Sequence, residues 1–123
     1  MAAGGLLRLL PTTQHDTGDD QPERGGEVDR ECRSVIARAG YDKAFTHRTG
    51  HSIGWLAAHG DGVNIDDFET HDTRLLRPGA AFSIEPGIYL SNFGVRSEIN
   101  VVITPGNKVT VTTRRQTELV LLV

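Results

Sequence analysis

At 123 residues, with hydrophobic residues at 37%, charged residues at 24% and a net charge of −3, the chain has the size and balance of one globular domain, not of a membrane, collagen-like or strongly disordered protein. Its arginines and lysines are scattered, with no run longer than Arg114-Arg115, so it lacks the basic patch that phosphate backbones demand and nucleic acid is not expected as a partner. The single cysteine, Cys32, has no partner for an internal disulfide, which agrees with a reducing compartment.

The chain begins with a short apolar run, Leu6, Leu7, Leu9 and Leu10 around Arg8. It is too short to cross a bilayer and lacks the flanks of a secretory signal, so no membrane association is expected. All seven aromatic residues lie at Tyr41 or later, and residues 16–26 are built from Asp, Thr, Gly, Gln, Pro, Glu and Arg. Such a stretch buries little, so residues 1–26 are expected to be a loose, atypical segment and residues 27–123 the structured part. There Val28, Cys32, Val35, Ile36 and Ala39 recur at offsets of 0, 4, 7, 8 and 11, the stripe of an amphipathic helix over 27–39. Glu27 and Asp29 in its first turn and Arg38 near its end suit the helix dipole, and Gly40 suits a C-terminal cap.

Residues 45–79 are irregular, with glycines at 50, 54, 60, 62 and 79 and histidines at 47, 51, 59 and 71; loops of this kind often carry function. The acidic stretch 61–72 reads as a solvated loop bordering a site, with His71 and Asp72 near a substrate. Beyond Gly79 the pattern turns to strands, at 80–85, 87–90, 95–103 and, after the turn Pro105-Gly106-Asn107, 109–113, with a last edge strand at 119–123. Trp55, Phe68, Phe82 and Tyr89 read as core or pocket wall, and Cys32 as buried.

Side chains alternate along a strand. In 95–103, Arg96, Glu98 and Asn100 share a polar face, and in 80–85 Ser83 and Glu85 lie opposite Phe82 and Ile84. Pro86 holds Glu85 in extended backbone. Two glutamates on neighbouring strands repel unless a proton or a cation lies between them. A neutral imidazole is a common companion ligand, and His47-Arg48-Thr49-Gly50-His51 supplies two. The histidine spacing resembles a zinc-protease helix only superficially, because Arg48 stands where that motif needs glutamate and Gly50 and Gly54 argue for a turn or strand instead of a helix.

Three segments occur in order: His47-Arg-Thr-Gly-His51-Ser-Ile-Gly54, Phe82-Ser-Ile-Glu85-Pro-Gly-Ile-Tyr89 and Gly94-Val-Arg-Ser-Glu98. Together they make residues 25–123 resemble the pita-bread metallopeptidases, in the branch of prolidase and aminopeptidase P. The resemblance implies an α+β fold, the C-terminal half of a pita-bread domain with a curved antiparallel sheet and a packed helix. It also implies hydrolysis of the peptide bond before proline, in short peptides with proline at the second position. The implied cofactor is a pair of manganese or cobalt ions, with His51, Glu85 and Glu98 as ligands and Glu98 bridging. Arg96 matches an arginine that holds the bridging carboxylate, and His47 a histidine near the substrate. Glu85 would take the proton of the attacking water, and His47 or His59 would stabilise the oxyanion. The location implied is cytoplasmic.

The chain departs from the family pattern in two places. His59 follows His51 by eight residues where the family has seven. The hairpin that carries two further aspartate ligands is absent, and Asp16, Asp19 and Asp20, close together in a polar stretch, do not take those roles. The expectation is a truncated, impaired copy whose uncovered sheet edges favour self-association, a homodimer being the simplest form. The alternatives are a metal-free hydrolase of the creatinase type and a non-catalytic pita-bread module that binds peptides or proteins.

Overall fold

A computed structural model describes residues 22–118; the expected edge strand at 119–123 and residues 1–21 lie outside them. Helix α1 (Gly25–Arg38) is followed by a 3-10 turn, Asp42–Ala44, and then by five strands: β1 (Ala81–Ile84), β2 (Gly87–Tyr89), β3 (Gly94–Arg96), β4 (Ile99–Thr104) and β5 (Lys108–Val111). Among the described residues no helix is long and apolar enough to cross a membrane.

Helix α1 starts two residues before the apolar stripe predicts, because its first amides find partners that lie far along the chain. Gly25 N donates to Arg74 O (3.2 Å) and Gly26 N to Asp72 O (2.8 Å), and Arg24 N donates to Glu27 Oε2 (2.8 Å), so the orphan donors of the first turn are satisfied by a loop and a side chain. Its end follows the sequence reading. Gly40 takes φ +84°, Gly40 N donates to Ala37 O and Tyr41 N to Ile36 O, the paired bonds of a Schellman cap.

Strands β1, β4 and β5 form one antiparallel sheet in that order, and β2 pairs antiparallel with β3 in a second. The single strand expected over 95–103 is therefore two, β3 and β4, which change partner at Ser97 and Glu98. The register survives the change. Ile84 pairs with Ile99 and Gly87 with Arg96, so Glu85 stands opposite Glu98 and Pro86 opposite Ser97. Proline has no amide hydrogen to give to a ladder, and the link remaining there is Ser97 N to Pro86 O, 3.3 Å.

On its other edge β1 is flanked by residues 49–53, in extended backbone. Glu85 N donates to Thr49 O (2.7 Å), Ser83 N to His51 O (2.9 Å) and Ile53 N to Ala81 O (2.9 Å). Gly50 in turn exchanges backbone bonds with Ile65 (3.1 and 3.0 Å). A Cβ at Gly50 would lie 1.8 Å from the Ser83 carbonyl oxygen, so only glycine allows this close approach.

One core joins these parts. Val28, Cys32 and Ile36 of α1 meet Phe82 and Ile84 of β1 and the inward positions of β4, Ile99, Val101 and Ile103. The alternation along β4, buried at every second residue, matches the sequence pattern. Trp55 is a correction: at 97% exposure it is neither core nor pocket wall.

Candidate functional site

The extended run 49–53 and β1 point His51, Ser83 and Glu85 to one side. Ser83, fully buried, receives the backbone amide of His51 on its hydroxyl (3.0 Å) and donates that hydroxyl to Glu85 Oε1 (2.9 Å). The same Oε1 lies 3.3 Å from His51 Nε2, and Oε2 lies 3.5 Å from Arg96 Nη1. His51 Nδ1 donates to the Ser52 carbonyl (2.9 Å), which leaves Nε2 turned to the carboxylate, as an acceptor in the neutral ring and as a donor in the protonated one. Two acceptors at this distance repel unless a proton or a cation lies between them. An imidazole whose far nitrogen is anchored on a carbonyl is the usual arrangement of a metal-binding histidine.

Glu98 occupies the position opposite Glu85 in the ladder, but its side chain is exposed and no hydrogen bond or ion pair joins it to His51 or Glu85. Among the described residues no three His, Cys, Asp or Glu side chains are grouped so as to hold a metal ion. His51 and Glu85 thus fit one side of a cation site and do not complete it. Arg96, by contrast, reaches the Glu85 carboxylate and not that of Glu98.

The other histidines divide. His59 stacks on His51, with ring centroids 4.0 Å apart and planes at 30°. His47 stands on the side of β2: Tyr89 donates its hydroxyl to His47 Nε2 (3.1 Å), and His47 Nδ1 donates to the Arg48 carbonyl (2.7 Å). His71 is not part of this group; it bonds Asp67 (2.6 Å) with its side chain 81% exposed.

The acidic loop 61–72 is not wholly solvated. Asp66 and Asp72 are buried and act as internal anchors. Burial acts to raise the Asp66 carboxyl, but the amides of Phe68, Glu69 and Thr70 outweigh it and hold it below the usual aspartate value. Asp72 is likewise pushed up by burial and brought below that value by Arg74 and the Asn64 amide. The sequence placed Ser83 on the face of Glu85 without its bridging role, and did not mark Asp29 as a site residue. Asp29, read there as a helix-dipole charge, is fully buried on the inner face of α1 and bonds Thr49 in the histidine loop. The one sequence signal for it was its spacing of four from Arg33, with which it pairs at 2.8 Å. Cys32 is buried as expected, and burial pushes its thiol up to about 11, which leaves it unreactive.

The model of metallopeptidase family M24 matches residues 21–105. The probable dipeptidase PepE of Mycobacterium tuberculosis is 42% identical over 86 residues, 69% of this chain and 22% of that protein. The crystal structure of the prolidase from Pyrococcus horikoshii OT3 superposes with a TM-score of 0.76 at 28% identity, covering 97% of this chain and 31% of that one. The Xaa-Pro dipeptidase from Bacillus anthracis gives a TM-score of 0.73 at 31% identity, covering 98% of this chain and 31% of that one. The chain therefore has the α+β pita-bread architecture over what it spans, which is about a fifth of the length of that curated relative.

Proposed function

The chain belongs to metallopeptidase family M24, and on that premise we propose that it carries part of the site of an exopeptidase that hydrolyses the peptide bond before proline in short peptides, with manganese or cobalt as cofactor. The observation that carries the reading is the meeting of His51 Nε2 and Glu85 Oε1 at 3.3 Å, two ligand-type atoms close enough to share a cation. These two residues would hold it, with Glu98 as third ligand. Such a cation activates water near neutral pH and polarises a carbonyl.

The protein's own residues have separate tasks. Glu85 accepts the proton of the attacking water, Ser83 and Arg96 keep its two oxygens oriented, and His47 or His59 faces the substrate carbonyl. In this reading the catalytic module is residues 27–123 together with Gly25 and Gly26, which form the buried first turn of α1 and not part of a separate segment. A cytoplasmic location agrees with the single buried cysteine. The exposed Leu90, Phe93 and Val95 on the β2–β3 hairpin suit a homodimer contact.

One observation favours a second reading, a non-catalytic peptide-binding module: among the described residues no three ligand-type side chains are grouped so as to hold an ion. Assay of the purified chain on Xaa-Pro dipeptides, with manganese, cobalt or a chelator and with its metal content measured, separates the possibilities. Chelator-sensitive hydrolysis confined to proline substrates supports the peptidase. Hydrolysis that ignores the chelator points to a metal-free enzyme, and peptide binding without turnover points to the module.

A further inference from the structure

We infer that Asp29, on the buried face of α1, is the positioning residue of this site: acting through Thr49 and Arg33, its carboxylate sets where the imidazoles of His47 and His51 stand. A buried charge is costly, and an apolar residue at this place on the helical stripe would cost less. Asp29 instead uses both oxygens fully. Oδ1 accepts the Thr49 amide (3.0 Å) and the Thr49 hydroxyl; Oδ2 accepts Arg33 Nε (2.8 Å) and the Asp67 amide (2.7 Å).

These bonds converge on the loop that carries both histidines. Thr49, 1% exposed, lies midway between His47 and His51, and its carbonyl accepts the Glu85 amide at 2.7 Å. Arg33, oriented by Asp29, donates to the carbonyls of Phe45 (3.2 Å) and His47. Its guanidinium lies between the rings of Phe45 and Phe68, 4.3 and 4.2 Å from their centroids. The loop is thus held at Phe45, His47 and Thr49 from one carboxylate, and a bonded path runs from Asp29 through Thr49 to the backbone of Glu85.

The inference rests on the reading that His47 and His51 belong to the working site, and its test reads their geometry and not turnover. The Hε1 signals of both histidines are followed by proton–carbon NMR, with hydrogen exchange of the backbone amide at position 49. Thr49→Val removes the hydroxyl and keeps the shape; it is expected to shift both histidine signals and to speed that amide's exchange about tenfold, the scale of a lost hydrogen bond to a charged group. Thr49→Ser, which retains the hydroxyl, is expected to restore both. Ile103→Val, a comparable core change in β4, is expected to leave the histidines alone. Histidine signals unmoved by Thr49→Val, not restored by Thr49→Ser, or moved as far by Ile103→Val would overturn the inference. A chain inactive on every peptide leaves it standing.

Discussion

Glu85 Oε1 and His51 Nε2 stand 3.3 Å apart because residues 49–53 run beside β1, tied to it by backbone bonds, with Ser83 bonded to both partners. This contact gives the first prediction. Glu85→Gln removes a charge from the donor pair while keeping its shape, and manganese affinity measured by calorimetry is expected to fall at least about tenfold. Undiminished affinity would place the ion elsewhere.

Gly50→Ala and Gly40→Ala should separate two kinds of glycine. At Gly50 the new methyl would sit 1.8 Å from the Ser83 carbonyl oxygen, whereas at Gly40 it meets nothing within 4 Å and only the positive φ opposes it. Gly40→Ala is expected to cost about 1 kcal/mol. Gly50→Ala is expected to cost several times as much or to prevent folding, both read by urea denaturation.

Removing the Asp29 carboxylate leaves Arg33, whose side chain is 20% exposed, without its counter-ion. Asp29→Ala is expected to destabilise the chain by about 3–5 kcal/mol, the usual cost of breaking a buried pair from one side. A loss below ~1 kcal/mol in denaturant titration would show that the network contributes little to folding.

Acid should act through Asp66 and Asp72. Both are held below the usual aspartate value, so the stability they contribute is complete above the unfolded value and is lost as the pH falls through the folded ones. Stability measured from pH 5 downwards is expected to decline below about pH 4. Asp66→Asn and Asp72→Asn are each expected to flatten that decline and to lower stability at neutral pH.

Trp55, the only tryptophan, is 97% exposed beside Leu56 at 92%. Its fluorescence is expected to be that of a hydrated indole, and Trp55→Ser to change stability by less than about 0.5 kcal/mol. A blue-shifted emission would mean that something covers the loop.

The regular parts of the fold were legible in the sequence because their signals are local. The α1 stripe, the Gly40 cap and the alternation of β1 and β4 each depend on residues close in the chain. Even the break between β3 and β4 did not spoil the alternation, since the register continues through it. What escaped was pairing between distant segments. Residues 49–53 read as turn or strand on their glycines, but nothing local named β1 as the partner that they edge. Asp29 and Asp66 looked like solvent charges because their partners are backbone amides and side chains 20 or more residues away or in a folded turn. Trp55 looked like core on composition alone. Of the site, the identities of His51 and Glu85 were readable from the motifs; the Ser83 hydroxyl that ties them was not.

The uninterrupted register from Ala81↔Val102 to Tyr89↔Gly94 makes the length of the connection at residues 90–93 a matter of parity. One residue inserted there would send Glu98 to the reverse side of the ribbon, away from its opposite number on the first arm. Two would return it to the proper side, one rung out of step. Length changes in this turn are therefore expected to be poorly tolerated although the turn itself faces solvent, so a surface loop inherits the strictness of the carboxylates beneath it.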